Sequence, residues 1–161
     1  MVAFKRLKVR ASKRGKGLFA DENIRKNEKI LDMPGKIVTE EKTDEWDLQI
    51  GKNRFIKAPK CSIDRWLNHS CRPNCCLKKI GKRFYLVSIK DILKGEEITF
   101  DYDTADYDNE RFGFTCRCEA KSCRKNIKGF KFLNLQQKRK LVDHLVPYLK
   151  EIFEKEARKN L

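Results

Sequence analysis

The sequence predicts an α+β domain built mostly of β-structure, and three observations predict it. Short apolar runs recur between turn-forming Gly, Pro and Asn residues from Phe4 to Phe100. From Gln136 onward the apolar spacing changes to the 3.6-residue period of a helix. The chain is of one-domain length, 161 residues, and 40% of it is hydrophobic, enough to bury a core.

In order along the chain, Phe4 to Arg10 alternates apolar and basic residues and reads as a half-buried strand. Arg14-Gly15-Lys16-Gly17 breaks that pattern as a tight loop would, and Leu18-Phe19-Ala20 resumes an apolar run. Asn27-Glu28-Lys29 and Pro34-Gly35 are turns on either side of Ile30-Leu31-Asp32-Met33. Thr39 to Asp47 gathers acids around Trp46 and reads as a loop or short helix. Leu48-Gln49-Ile50 and Arg54-Phe55-Ile56 form a hairpin about Gly51, and Cys61 to Asn68 a short helix. Cys75 to Lys79 and Arg83 to Ile89 form a second hairpin about Gly81. Ile98-Thr99-Phe100 is a further strand, and Asp101 to Arg111 a polar loop. Leu141, Leu145, Tyr148, Leu149, Ile152 and Phe153 share one helical face, which Pro147 kinks or splits.

Charge and cysteine content narrow the class. Lys and Arg outnumber Asp and Glu by 38 to 23, a net charge of +15. Such a balance favours acidic partners, nucleic acid or nucleoprotein. No apolar run approaches the ~20 residues that span a bilayer, so no membrane role is expected. Met1 to Arg14 has no apolar h-region, so no secretory signal is expected either. Seven cysteines without an export signal point to an intracellular, reducing setting, where clustered thiols more often hold metal than form disulfides.

Cys116, Cys118 and Cys123 lie within eight residues and can converge on one ion. Tetrahedral zinc takes four ligands, so one thiol must come from elsewhere, with Cys61, Cys71, Cys75 and Cys76 as available donors. The basic neighbours Arg117, Lys121 and Arg124 favour thiolates. The same spacing is also compatible with ordinary buried cysteines.

Two polar strings complete the set of candidates: Asn68-His69-Ser70-Cys71-Arg72-Pro73-Asn74, and Glu97-Ile98-Thr99-Phe100-Asp101-Tyr102. Each alone is compatible with turn or core chemistry. Together with the Arg14–Phe19 segment before them and the cysteine knuckle after them, they strongly resemble the SET-domain protein lysine methyltransferases with a zinc-binding post-SET segment. The resemblance spans roughly residues 4–130 and is carried most specifically by the Asn-His-Ser-Cys-x-Pro-Asn string. The cysteine-rich pre-SET region of some members is absent, so the chain looks like a minimal, stand-alone SET protein.

The resemblance implies small β-sheets around a knot-like crossing, where the Asn-His-Ser-Cys segment lies beside the segment ending in Tyr102. It divides the chain into a SET domain at 4–103, a post-SET zinc segment at 104–130 and a C-terminal helical extension at 131–161. It makes Tyr102 the catalytic residue and S-adenosylmethionine the methyl donor. Arg14, Gly15, Lys16, Gly17, Leu18, Asn68, His69 and Arg117 then stand at cofactor-contact positions. It selects Cys71 as fourth ligand, giving a zinc site of Cys71, Cys116, Cys118 and Cys123. Cys61, Cys75 and Cys76 are left as buried free thiols. Phe100, at a position where the family has Phe or Tyr, implies room for di- or trimethylation. Tyr107, Phe112 and Phe114 are candidate walls of the lysine channel.

Asp101, Asp103, Asp106, Asp108 and Glu110 are expected to form a negative rim that attracts a Lys-rich substrate. The basic stretches Lys5–Lys16 and Arg124–Lys140 are candidate surfaces for DNA or RNA. The expected substrate is a basic protein, histone-like or DNA-packing, with a ribosomal protein as a further reading. The compartment is nuclear in a eukaryote and cytoplasmic or nucleoid in a prokaryote. The competing reading is a non-catalytic zinc-dependent module that binds nucleic acid or chromatin, for which Tyr102 and the glycine loop would be dispensable. For Leu141 to Phe153, which lies beyond the resemblance, packing on the domain is the default expectation.

Overall fold

The computed structural model describes residues 3–39, 42–44 and 46–159. Twelve short strands form two three-stranded and three two-stranded sheets among these residues. The α+β, mostly β class follows from that, and the helices come last in the chain.

Strands β1 (Leu7–Ser12) and β2 (Gly15–Ala20) pair as an antiparallel hairpin. The expected glycine loop shrinks to Lys13-Arg14, and Lys16 and Gly17 belong to β2. Gly15 adopts φ +99°, a left-handed conformation that a side chain would strain. The expected half-buried first strand is instead mostly exposed, because β1 is an edge and β2 carries the buried Leu18 and Ala20. Strand β3 (Lys29–Asp32) precedes the Pro34-Gly35 turn and β4 (Lys36–Val38). The described part of the Thr39–Asp47 segment leads into β5 (Leu48–Gly51) and β6 (Arg54–Lys57), in sheet order β4–β6–β5. The remainder of the predicted loop or short helix, at 40, 41 and 45, lies outside the described residues.

The expected helix over Cys61–Asn68 is one 3-10 turn at Ile63–Trp66. It delivers the chain into β7 (Asn68–His69). The second hairpin is β8 (Cys75–Ile80) and β9 (Arg83–Ser88), to which β3 adds on the far edge. Strand β10 (Thr99–Phe100) runs parallel to β7, with Thr99 opposite Asn68 and Phe100 opposite His69. Ser70 N–H extends that pairing by donating to Phe100 C=O at 3.0 Å. Two strings far apart in sequence are thereby laid side by side.

After 3-10 turns at Tyr102–Thr104 and Glu110–Phe112, β11 (Phe114–Thr115) and β12 (Asn126–Ile127) clasp the cysteine knuckle between them. The C-terminal stretch is two helices, α1 (Leu135–Leu141) and α2 (Pro147–Lys159). Asn134 and Gln137 form a capping box that starts α1. Pro147 opens α2, where its missing N–H has no intrahelical role to lose. Between them Val146 N–H donates to Thr104 C=O at 3.0 Å, and Val146 and Leu149 are fully buried in the core with Leu18, Leu31, Leu86 and Phe130. The terminal helices therefore pack on the same core as the sheets and brace the loop that follows Tyr102.

Candidate active site and thiolate cluster

The parallel β7–β10 crossing sets the site. Tyr102 begins a 3-10 turn immediately beyond β10, and Asp101 caps that turn by accepting from Asp103 N–H. The Tyr102 hydroxyl donates to Leu67 C=O at 2.5 Å, which fixes the ring against the residue that precedes β7. Asn74, from the end of the first string, donates to Glu97 C=O and accepts from Thr99 N–H, both within 2.9 Å. It thus stitches β10 to the turn after Cys71.

On one side of Tyr102, the tip of the β1–β2 hairpin docks on Glu97. The Glu97 carboxylate accepts from Ser12 Oγ (2.9 Å), Asn68 Nδ2 (2.6 Å) and Arg14 Nη2 (3.1 Å). Arg14 Nη1 donates to His69 C=O at 2.7 Å, and Asn68 Nδ2 also reaches Lys16 C=O at 3.0 Å. A cavity of about 290 Å³ opens there. Arg14, Asn68, His69 and Arg117 line it, joined by Lys13, Tyr102, Phe114 and Thr115. Arg14 Nε beside it is buried and, among the described residues, has no hydrogen-bond partner. Cationic side chains, a carbonyl-rich crossing, aromatic edges and an orphan donor fit a ligand that carries a carboxylate and a flat base, as S-adenosylmethionine does.

On the other side of Tyr102 lies a narrow cavity of about 50 Å³ with apolar walls that include Leu67 and Phe100. Asp47, Asp64 and Asp106 also line it. The Oδ1 atoms of Asp47 and Asp64 are buried and, among the described residues, lack a hydrogen-bond partner. Burial pushes all three carboxyls above their ordinary range, Asp106 to about 7. Tyr102 alone among the described residues lines both cavities. A larger cavity, about 680 Å³ beside Pro34, Arg54 and Tyr148, contains no predicted site residue.

The four predicted thiols converge. The Sγ atoms of Cys71, Cys116, Cys118 and Cys123 all lie within 4.8 Å of one another. Cys71 and Cys116 are 4.0 Å apart, close to the ~3.8 Å edge of a tetrahedron of sulfurs about 2.3 Å from zinc. Four soft donors and no carboxylate suit zinc rather than magnesium or calcium. Burial raises the Cys71 and Cys116 thiols, Cys116 to about 11. Cys118 is also burdened by burial, but backbone N–H donors of Ala120 and Cys71 and its neighbouring thiols bring it down to about 6. The knuckle is tied to the crossing by Arg124, whose guanidinium holds Asp101 through two bonds and Asp103 through two more. Asp101 and Asp103 are both 1% exposed.

Several expectations are displaced. Leu18 is fully buried in the core, and Gly15, Lys16 and Gly17 do not line the cofactor-sized cavity, because β2 turns this stretch into framework. Glycine at 17 has a steric cause within the fold: a Cβ there would clash with Glu97 Oε1. Of the aromatic candidates, Phe100 lines the narrow cavity, whereas Phe114 stands on the opposite side, edge-on to Tyr102 at 6.0 Å. Tyr107 packs on the core with its N–H donating to Gln49, and the 3-10 turn at Glu110–Phe112 carries Phe112 to a separate depression. The acidic run is not a uniform rim, since Asp101 and Asp103 are internal partners of Arg124. Cys75 and Cys76 are buried, but Cys61 is exposed. The basic N-terminal stretch finds acids from elsewhere: Lys5 meets Glu28, Arg6 Glu22, Lys8 Asp21 and Lys13 Glu119. Sequence reasoning missed Glu97, Arg124 and Asn74 as organising residues. Glu97 and Asn74 sit inside the quoted strings, which was the available signal.

A family profile for the SET domain matches residues 15–103, and the chain belongs to that family. It is 33% identical over 126 residues to the H3 lysine-4 specific histone-lysine N-methyltransferase of Schizosaccharomyces pombe, covering 67% of this chain and 13% of that protein. It is 33% identical over 139 residues to an H3 lysine-36 specific histone-lysine N-methyltransferase of Cryptococcus neoformans, covering 75% of this chain and 16% of that one. The chain thus spans only about a seventh of the length of these relatives. The fold is shared with the crystal structure of KRYPTONITE in complex with mCHH DNA, H3(1–15) peptide and SAH. That match has a TM-score of 0.66 at 23% identity, over 79% of this chain and 30% of that one. No helix among the described residues is long and apolar enough to cross a membrane.

Proposed function

We propose that the chain transfers methyl groups from S-adenosylmethionine to the ε-amine of a lysine in a histone or similar chromatin-associated protein. The observation that carries this reading is the position of Tyr102 between a cationic, cofactor-sized cavity and a narrow, acid-lined one. Relatives named as histone-lysine N-methyltransferases support the reaction class.

The chain's own groups divide the work. Lys13, Arg14 and Arg117 supply positive charge at the wider cavity, and Phe114 supplies a flat face. When bound, S-adenosylmethionine would supply a methyl on a cationic sulfur for displacement by a neutral amine, with S-adenosylhomocysteine as the leaving group. Asp47, Asp64 and Asp106 draw a cationic side chain into the narrow cavity. At the inner end the apolar walls and, with S-adenosylmethionine bound, its cationic sulfonium would disfavour the ammonium form, so that the proton leaves to solvent and a neutral amine meets Tyr102. The Tyr102 hydroxyl, anchored on Leu67 C=O, orients amine and methyl, and such alignment is worth up to ~7–11 kcal/mol of barrier. Phe100 in the narrow cavity brings no hydroxyl, which leaves space for a methylated amine and favours di- or trimethylation. Cys71, Cys116, Cys118 and Cys123 would hold zinc, which would tie the knuckle to the crossing.

The test is label transfer from methyl-labelled S-adenosylmethionine to a panel of histones, ribosomal proteins and lysate, with Tyr102→Phe alongside. A labelled histone band that fades about 100-fold in the variant is expected, the scale of loss that misalignment produces. Label on no protein, or equal label with both chains, overturns the reading. A labelled ribosomal protein alone overturns its substrate half.

A further inference from the structure

The imidazole of His69 spans two features that the fold otherwise keeps apart. Its Nδ1 is 3.1 Å from the backbone nitrogen of Tyr102, and its Nε2 is 3.2 Å from Cys71 Sγ. A backbone N–H can only donate, so Nδ1 must present its lone pair. The neutral ring then carries its proton on Nε2 and donates it to the sulfur. Its side chain is 1% exposed, and it stands edge-on to Tyr102 at 5.3 Å and to Phe114 at 5.8 Å. It has no room to turn and exchange partners.

We propose that His69 is a positioning residue that couples the metal state of the thiolate cluster to the placement of Tyr102. This rests on the reading that the four cysteines hold zinc. Cys71 accepts a second N–H···S bond from the Arg124 backbone at 3.4 Å, so its sulfur is aimed by both the crossing and the knuckle. With Cys71 held as a metal-bound thiolate, the Nε2 donor has its acceptor and the Nδ1 lone pair stays turned to Tyr102. With the cluster empty, Cys71 Sγ is no longer held in place by a metal, and the Nε2 donor loses a fixed acceptor. A buried Nε2–H without a partner is costly, and any shift of the ring that relieves it moves Nδ1 off Tyr102 N–H. Loss of metal is thereby felt at Tyr102 through one rigid ring, without unfolding the crossing. Bonds from a neighbouring group to a metal-bound ligand typically contribute 10–100-fold to metal affinity.

Two substitutions separate the two ends of the ring in the full chain. His69→Asn keeps an acceptor near the Nδ1 position and removes the donor to sulfur. His69→Gln keeps a donor that reaches the Nε2 position and removes the acceptor. Zinc retention against a competing chelator and the cobalt–thiolate charge-transfer band are read for each, with kcat and KM for a histone peptide. His69→Asn is expected to weaken metal binding 10–100-fold and shift the cobalt band. His69→Gln should restore metal affinity towards that of the wild type while kcat falls more than KM rises. Unchanged zinc affinity and an unmoved cobalt band in His69→Asn overturn the proposal alone. A wild-type chain that takes up neither metal overturns the zinc reading and the proposal with it. Should the variants fail to fold, ring nitrogen NMR of the wild-type chain decides. A proton on Nε2 and a Tyr102 amide resonance that moves on zinc removal support the coupling; a proton on Nδ1 or an unmoved resonance overturns it.

Discussion

Glu97 lies against the backbone of Gly17 so closely that a methyl group at 17 would meet its Oε1 at 2.4 Å. The carboxylate cannot simply swing away, because Ser12, Arg14 and Asn68 all hold it. Gly17→Ala must therefore break part of this cluster or push β2 outward. The expected cost is about 1–3 kcal/mol of stability. A drop in affinity for S-adenosylhomocysteine should accompany it, since Arg14 and Asn68 line the cofactor-sized cavity. Chemical denaturation and calorimetric titration measure the two effects. Wild-type values in both would show that Glu97 does not organise the hairpin tip.

The buried Asp101–Arg124–Asp103 group joins the loop that carries Tyr102 to Arg124, the residue after the last knuckle cysteine. Arg124→Met leaves two carboxylates buried without their cation. Breaking a buried pair from one side is expected to destabilise by about 3–5 kcal/mol. Urea unfolding reads the loss directly. A change under about 1 kcal/mol would mean that the group is not closed in solution, since exposed ion pairs contribute only that much.

Phe100 and Tyr102 rings stand 4.9 Å apart at the narrow cavity. Phe100→Tyr adds a hydroxyl that can hold water where a methylated amine must turn. Mass spectrometry of the product peptide should show a shift from di- and trimethyl-lysine towards monomethyl-lysine. An unaltered product distribution would remove Phe100 as the determinant of methylation state.

Burial, reinforced by the neighbouring Asp103, raises Asp106 from 3.8 to about 7. Between about pH 4 and 7 the native carboxyl keeps a proton that the unfolded chain releases. The native state binds more protons in that window, so this contribution to stability is full below about pH 4 and lost as pH rises through 7. Asp106→Asn has no such proton to lose. The difference in melting temperature between variant and wild type should move in the variant's favour from pH 4 to 8. A difference that is flat across that range would place the Asp106 titration elsewhere.

What could be read from the sequence was what is written locally. Hairpins over 48–57 and 75–88 were legible because alternation and a Gly turn are properties of adjacent residues. The Asn68–Asn74 and Glu97–Tyr102 strings, and the thiol spacing from Cys116 to Cys123, identified the groups that converge at the site. The role of Pro147 was half legible: it marks a helix boundary, but only the packing of Val146 under the Tyr102 loop makes it a helix start.

Tertiary structure decided which of those groups face a cavity and which serve the frame. Leu18 and Arg14 sit four residues apart in one string, yet one is core and the other lines the cavity, because Leu18 lies within β2 against the core while Arg14 lies in the turn that precedes that strand. Glu97 became an organiser only when the fold brought it to Ser12, 85 residues earlier in the chain. The acids after Tyr102 look alike in sequence, but enclosure with Arg124 turned two of them inward. Composition and spacing determine which chemistry is available to this chain; burial and long-range hydrogen bonding, which depend on residues far apart in sequence, determine where each group is used.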